Sequence, residues 1–458
     1  MLAQPELTKL LKSGIRKHGV PGAVVAVYRN GQIESAAAGV LNVDTSVEVT
    51  TDSVFQIGSI GKLFTATLIM QLVEEGQVDI DAPVRCYLPD FAVAEAEASA
   101  KVTLRHLLCH TSGIEGDFIV DSGRGDDCVA KLQAMGTMLP QLFPLGEHMS
   151  YCNFGYGILG RVIEVLTGQT FDVAIRQRIF DRLGMRHVVA LPEDTIRFRC
   201  AIGHVPDPKQ REANIPAPLA WAALGLKGAG SGIGMSIGDL MKFVEMHVRG
   251  NRSSGSGKVL RRATARAMQR RQVRLPHHTE HGIDGWGIGW TLLSLSGKRV
   301  LGHDGSSLIG QYSYLRVLPE KQLAVALFAN GGDSASLYET MFKSTFEPLG
   351  GVKMATLPES DDEIEIEPER YVGEYENLTG RFVIDRNRQG LEIAFMAKPV
   401  LSIPGPSIPS TPLRFIDRNT ARFANGNRVL DSLPIIFPGN DRDSPDYLTF
   451  ALRVFPRL

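Results

Sequence analysis

Apolar residues fill a helical pattern almost without interruption over residues 63–73, and Glu74-Glu75-Gly76 stops it. Upstream, residues 1–20 alternate polar and apolar positions as an amphipathic helix does. Two strand-like runs, 23–28 and 32–38, flank Asn30-Gly31, a strong hairpin turn signal. Residues 103–185 read as mostly helical, with stops at Gly113, Gly168 and Gly184. A glycine-rich stretch, 225–238, leads into a helix over 239–248, with Ser236 and Asp239 as its capping box. The period then turns to strands at 287–293, 299–302, 311–317 and 323–328, and a helix over 334–346 follows. Strands at both ends with helices between predict an α/β fold. Its sheet is mainly antiparallel, flanked by helices, with first strands from the N-terminus and a helical insertion.

The acidic run from Glu359 to Pro368 reads as a linker. Beyond it, short strands at 371–375, 381–385, 391–395, 413–416, 420–423 and 446–453 predict a small C-terminal all-β domain, barrel-like in form. The expected division is 1–350, a linker at 351–368, and 369–458.

Composition changes the picture by exclusion. The 458 residues carry a formal net charge of −1, which argues against nucleic-acid and anionic-membrane partners. The arginines between Lys258 and Arg274 fit a solvated helix face. Five widely spaced cysteines without a Cys-x-x-Cys pair argue for reduced thiols and against a disulfide framework or structural zinc. No signal-peptide core or bilayer-length apolar segment is seen, so the expected location is cytoplasmic. A homo-oligomer is a possible state.

Candidate chemistry begins at Ser59-Ile60-Gly61-Lys62, just ahead of the long apolar helix. Three residues apart, the two side chains share one helix face. A serine hydroxyl needs a base, and a lysine becomes one when burial and the positive end of a helix depress its pKa. Taken alone, a capping serine and a solvated lysine explain the pair equally well. Tyr151-Cys152-Asn153 follows a loop and opens a helix, so its phenol and amide can face a cleft. His303-Asp304-Gly305-Ser306 ends a strand, read as an edge next to the Ser59 helix, where backbone N–H groups can meet a bound carbonyl. Two rival sites compete. Gly234-Met235-Ser236-Ile237-Gly238 fits a nucleophile elbow but lacks the apolar strand and the oxyanion loop that motif needs. His277-His278-Thr279-Glu280-His281 could bind metal, but reads better as a solvated loop.

Ser-x-x-Lys, Tyr-x-Asn and His-x-Gly in this order resemble the class C β-lactamase and penicillin-recognising serine hydrolase superfamily, which includes D-alanyl-D-alanine carboxypeptidases, D-aminopeptidases and family VIII carboxylesterases. The resemblance spans roughly residues 5–348, with Leu107-Leu108-Cys109-His110-Thr111-Ser112-Gly113 in support. It implies the β-lactamase-like fold and an acyl-enzyme on Ser59. Tyr151 would relay the proton, with Lys62 holding it phenolate-like and sharing the base role. Asn153 would bind the acyl-side amide or orient Lys62. His303, Gly305 and Ser306 would contact substrate, the N–H groups of Ser59 and Ser306 forming the oxyanion hole. The implied substrate is a small ester or amide, with no metal or organic cofactor. A β-lactamase, an acyltransferase and a non-catalytic binding member of the fold are the alternatives. Many β-lactamases carry a lysine where this chain has His303, and an unperturbed histidine is mostly neutral at pH 7. Slow or absent hydrolysis of a chromogenic cephalosporin is therefore expected; rapid colour development would contradict it.

Overall fold

Asn30 and Gly31 both take positive φ, 53° and 90°, and turn β1 (Gly22–Arg29) into β2 (Gln32–Gly39). Such mirror-image turns match the right-handed twist of the flanking strands. The structure, a computed structural model, describes residues 3–210, 213–219, 221–250, 258–276, 282–307, 310–361, 363–388, 390–399, 407–424, 426, 428–438 and 445–458.

β1 and β2 join six later strands, β3 (Val273–Arg274), β4 (Ile283–Trp286), β5 (Thr291–Leu295), β6 (Lys298–Ser306), β7 (Tyr312–Leu318) and β8 (Leu323–Ala329). The order is β2-β1-β8-β7-β6-β5-β4-β3, antiparallel throughout. β1 is apolar along most of its length because both of its faces are covered. Ala23, Val25 and Val27 pack with Leu7, Leu11 and Ile15 of α1 (Gln4–Lys17), while Val24, Ala26 and Tyr28 join the core on the other face. That second core holds α2 (Gly61–Glu74), α3 (Asn153–Thr167) and α4 (Ile237–Arg249). α5 (Ser334–Ser344) returns to the α1 side through Leu337, Met341 and Phe342. Residues 61–72 of α2 are buried on every side, which explains the unbroken apolar pattern.

The strand carrying His303 is no sheet edge: β6 lies fifth in the order, between β7 and β5. Pairing with β5 nevertheless ends at Gly302, so residues 303–306 run on with β7 alone, and this local edge meets the Ser59 turn. The expected strand over 287–293 starts only at Thr291, Gly289 bending the backbone at φ 80°.

The C-terminal domain is an eight-stranded antiparallel sheet in sequential order: β9 (Gly373–Asn377), β10 (Gly380–Asn387), β11 (Gly390–Ala397), β12 (Ile408–Asp417), β13 (Thr420–Phe423), β14 (Pro434–Ile436), β15 (Tyr447–Phe450) and β16 (Arg453–Pro456). A bridge between Tyr375 and Arg457 brings the first strand beside the last, so the sheet nearly closes around Tyr371, Phe382, Phe415, Phe423, Phe437 and Phe455. The run expected as one strand over 446–453 is two, turning at Ala451-Leu452, and β14 is an addition whose three residues and leading proline give little signal. Ile364 and Ile366, within the acidic run, pack half-buried against the barrel core.

Phe64 of α2 is fully buried and its ring stacks on Phe243 of α4 with centroids 3.9 Å apart. Phe64→Ala should cost about 3–5 kcal/mol, read as a lower urea midpoint at unchanged slope. A loss below about 1 kcal/mol would mean this contact does not tie the two helices together.

Candidate active site

Ser59 lies in one 3₁₀ turn, Gly58–Ile60, that runs directly into α2. Two glycines allow the turn to be clamped there. Gly58 has φ 50°, and a Cβ on it would come within 2.7 Å of the Ser306 carbonyl oxygen. Gly230 has φ 104°, and its Cβ would fall 2.0 Å from the Gly58 carbonyl oxygen. The end of β6 therefore closes one side of the nucleophile and the glycine-rich segment the other.

Lys62, one turn on, is wholly buried. Its Nζ lies 3.1 Å from Ser59 Oγ, 2.7 Å from Asn153 Oδ1 and 3.0 Å from the Ala229 carbonyl oxygen. Burial pulls its pKa down to about 7; Asp117 acts against that shift and Arg453 with it. A neutral amine has two N–H donors and one lone pair. Asn153 and Ala229 offer carbonyl oxygens for the two donors, which leaves the lone pair for the Ser59 hydroxyl.

Tyr151 is buried beside this pair, with Lys62 Nζ 4.8 Å from its ring centroid and the His110 ring stacked at 4.4 Å. Its buried hydroxyl makes no hydrogen bond of full geometry among the described residues, with Ser59 its near neighbour. Burial pushes its pKa well up, and the opposing influences of nearby Ser59 and Arg453 are smaller. Burial thus favours the neutral phenol in the resting site, where the resemblance implied a phenolate-like one. His303 Nδ1 lies 2.8 Å from the Asp304 carbonyl oxygen, an atom that can only accept, so Nδ1 holds the proton and Nε2 presents a lone pair. Nε2 is buried without a hydrogen-bond partner among the described residues; burial first, then Lys62, lowers the imidazole to about 4 and keeps it neutral. Gly305 packs so tightly that a Cβ would sit 2.0 Å from the Ile57 carbonyl oxygen.

Two cavities open at Ser59. One, about 310 Å³, is bordered by Tyr151, Trp286, His303, Asp304, Gly305 and Ser306; the other, about 270 Å³, by Asp117, Ile119, Asn153, Ala229 and again Ser306. Arg453 borders both.

The family model described as Beta-lactamase matches residues 7–347. The chain belongs to the β-lactamase family. It is 41% identical over 372 residues to penicillin-binding protein 4 of Amycolatopsis lactamdurans, covering 80% of this chain and 95% of that relative. Crystal structures of SurE extend the likeness to the whole chain, covering 99% of each: TM-score 0.81 at 25% identity, and 0.77 at 26% for SurE with D-Leu. The octameric penicillin-binding protein homologue of Pyrococcus abyssi shares the fold at TM-score 0.65 and 22% identity, also over 99% of both chains. As in its family, the chemistry of this chain is that of a serine hydrolase acting through an acyl-enzyme.

All seven sequence-selected residues of this β-lactamase-family site, Ser59, Lys62, Tyr151, Asn153, His303, Gly305 and Ser306, border the cavities or touch residues that do. The rivals separate from it. Ser236 is buried as the N-cap of α4, accepting from the Asp239 N–H, and borders neither cavity. The histidine run at 277–281 lies outside the described residues. Sequence reasoning missed three participants: the Ala229 carbonyl, Asp117 and Arg453. Asp117 sits in an irregular loop and Arg453 belongs to another domain, and neither carries a local signal.

With the Lys62 pKa near 7, a role for its neutral amine as base predicts that kcat/KM for an activated ester rises with pH through a limb near 7 and levels off above it. Rate profiles in constant-ionic-strength buffers check this; a limb near 10 would show a solvated, ordinary lysine.

Proposed function

We propose that the protein cleaves a small ester or amide bond through an acyl-enzyme on Ser59, with a D-configured residue beside the scissile bond. The observation that carries the reading is the buried Lys62 amine 3.1 Å from Ser59 Oγ, with its two N–H groups facing carbonyl oxygens. Lys62 takes the serine proton as Oγ bonds to the substrate carbonyl carbon. The oxyanion is received by the backbone N–H groups of Ser59 and Ser306, a role supported by the presence of both residues along both cavities. The proton then reaches the leaving oxygen or nitrogen by way of the Tyr151 phenol, the C–O or C–N bond breaks, and the acyl group stays on Ser59. An acceptor entering where the leaving group departed reverses these transfers.

The D-configuration rests on the full-length likeness to SurE, for which a structure with D-Leu exists. The uncharged state of His303 supports an ester or amide over a β-lactam held by its carboxylate. A second reading, transfer to an amine in place of water, is favoured by the cavity of about 310 Å³ along Tyr151 and His303, which holds far more than one water.

A serine-reactive phosphonate followed by intact-mass and peptide mapping should give one adduct, on Ser59, absent from Ser59→Ala, whose thermal stability stays close to that of the wild type. Paired esters differing only in the configuration of the acyl residue should then favour the D form by roughly tenfold or more in kcat/KM, about 1.4 kcal/mol. Added amine should divert part of the product to the amide if the second reading holds. An adduct on Ser236, or turnover retained in Ser59→Ala, contradicts the assignment.

A further inference from the structure

The barrel's last hairpin has its tip half-buried against the other domain. Its tip residues, Ala451 and Leu452, both adopt left-handed φ, 46° and 63°, a conformation that side chains other than glycine and asparagine seldom take. Contacts with the other domain hold it there: the Leu452 carbonyl accepts the Tyr151 N–H at 2.8 Å, and the Val454 N–H donates to Ser150 Oγ at 3.1 Å. Arg453, next along, donates from Nη1 to the Ala451 carbonyl at 2.7 Å, and its Nε and Nη2 engage the Asp117 carboxylate. Its guanidinium lies 5.0 Å from the centroid of the Tyr151 ring.

Asp117 uses the same carboxylate on Asn153, whose Nδ2 donates to Oδ1 at 2.6 Å. A carboxylate can only accept, so this bond fixes which way the asparagine amide points. Its NH₂ faces Asp117 and its oxygen faces Lys62 Nζ at 2.7 Å. Were the amide reversed, an N–H would face the lysine and capture the lone pair that Ser59 needs.

We infer that Asp117 and Arg453 are positioning residues, an ion pair built across the two domains that locks the Asn153 amide and so aims the Lys62 amine at Ser59. The inference rests on the acyl-enzyme reading above. After burial, Asp117 and Arg453 are the charged groups that act most on Lys62; the Asp304–Arg316 ion pair acts on His303 and Tyr151, and Glu115, raised by burial, neighbours Asp117. Tyr151, Tyr156 and Cys152 are pushed up, the last to about 12, while His303 and His110 are pushed down. Asp117 draws the lysine pKa up and Arg453 drives it down.

The test follows the rate of Ser59 phosphonylation, and turnover of an activated ester, against pH in full-length wild type, Asp117→Asn, Arg453→Met and Arg453→Lys, with thermal melts to establish folding. Arg453→Met leaves the carboxylate uncompensated, so the Lys62 limb should move to higher pH. Arg453→Lys should return it toward wild type. Asp117→Asn leaves the cation unopposed and permits the amide to reverse. Its limb should move to lower pH while kcat falls about a hundredfold, with KM changing much less. A merely structural pair would not move the limbs in opposite directions. Folded variants that keep the wild-type limb, or shift it the same way, overturn the inference while Ser59 labelling in the wild type leaves the acyl-enzyme standing. No labelling of Ser59 in the wild type overturns both.

Discussion

An amine removed from water must either shed its charge or find oxygen atoms to receive it, and most of this structure answers that demand at Lys62. The lysine sits in the first turn of α2, a helix enclosed on all sides, so solvent cannot reach it. Three oxygens stand around its nitrogen, supplied by the Ser59 turn, the start of α3 and the glycine-rich segment. Each supplier is fixed for its own reason: Gly58 and Gly230 allow backbone to press on backbone, and the Asn153 N–H is held by the Gly116 carbonyl at 3.0 Å. Loosening any of these changes the lysine before it changes the serine. The nucleophile therefore depends on packing many residues away from it.

The C-terminal barrel is part of the same arrangement. Its own core is aromatic and nearly closed, which frees the last hairpin to be spent on the neighbouring domain. A second tie runs from the Leu378 N–H to Glu115, at 3.0 Å, in the loop that carries Asp117. Burial raises the Glu115 pKa, and the N–H groups it accepts from partly offset this. The loop is thus gripped by the barrel at two points on either side of Gly116. The full-length likeness to SurE, barrel included, fits a domain that completes the cleft rather than one merely attached to it.

What could be read from sequence followed contact range. Ser59 and Lys62 are three residues apart on a helix, so periodicity alone joins them. Tyr151 and Asn153 share a loop-to-helix start, and His303 a strand end; order along the chain, with the family resemblance, brought these together. Most of the first sheet was legible because its long strands are apolar, whereas β3, two residues, β4, four, and β14, three opening with proline, were not. Arg453 and Asp117 are separated by 336 positions, and neither has a neighbour that betrays the other. The His303 strand was taken for an edge because a pattern shows where a strand ends, not which neighbour ends first. The tyrosine's protonation state was likewise hidden, since it depends on burial by Trp286, His110 and the hairpin together.

That protonation state decides how labour is divided at the centre. A buried phenolate and a buried ammonium side by side would satisfy each other, yet burial moves the tyrosine up and the lysine down, each toward its neutral form. Neutral lysine can accept from serine, and neutral tyrosine can donate to a departing group. In the proposed reaction each starts in the form that the first half consumes. Once the serine proton has crossed, the lysine is the charged partner, and its two carbonyl contacts become stronger, charge-assisted bonds at the moment the oxyanion forms. The resting contacts of Lys62 are thus already those that stabilise its protonated form. His303, neutral and with its Nε2 lone pair buried, borders the same cavity as Ser59 and Tyr151 and adds no charge to this balance.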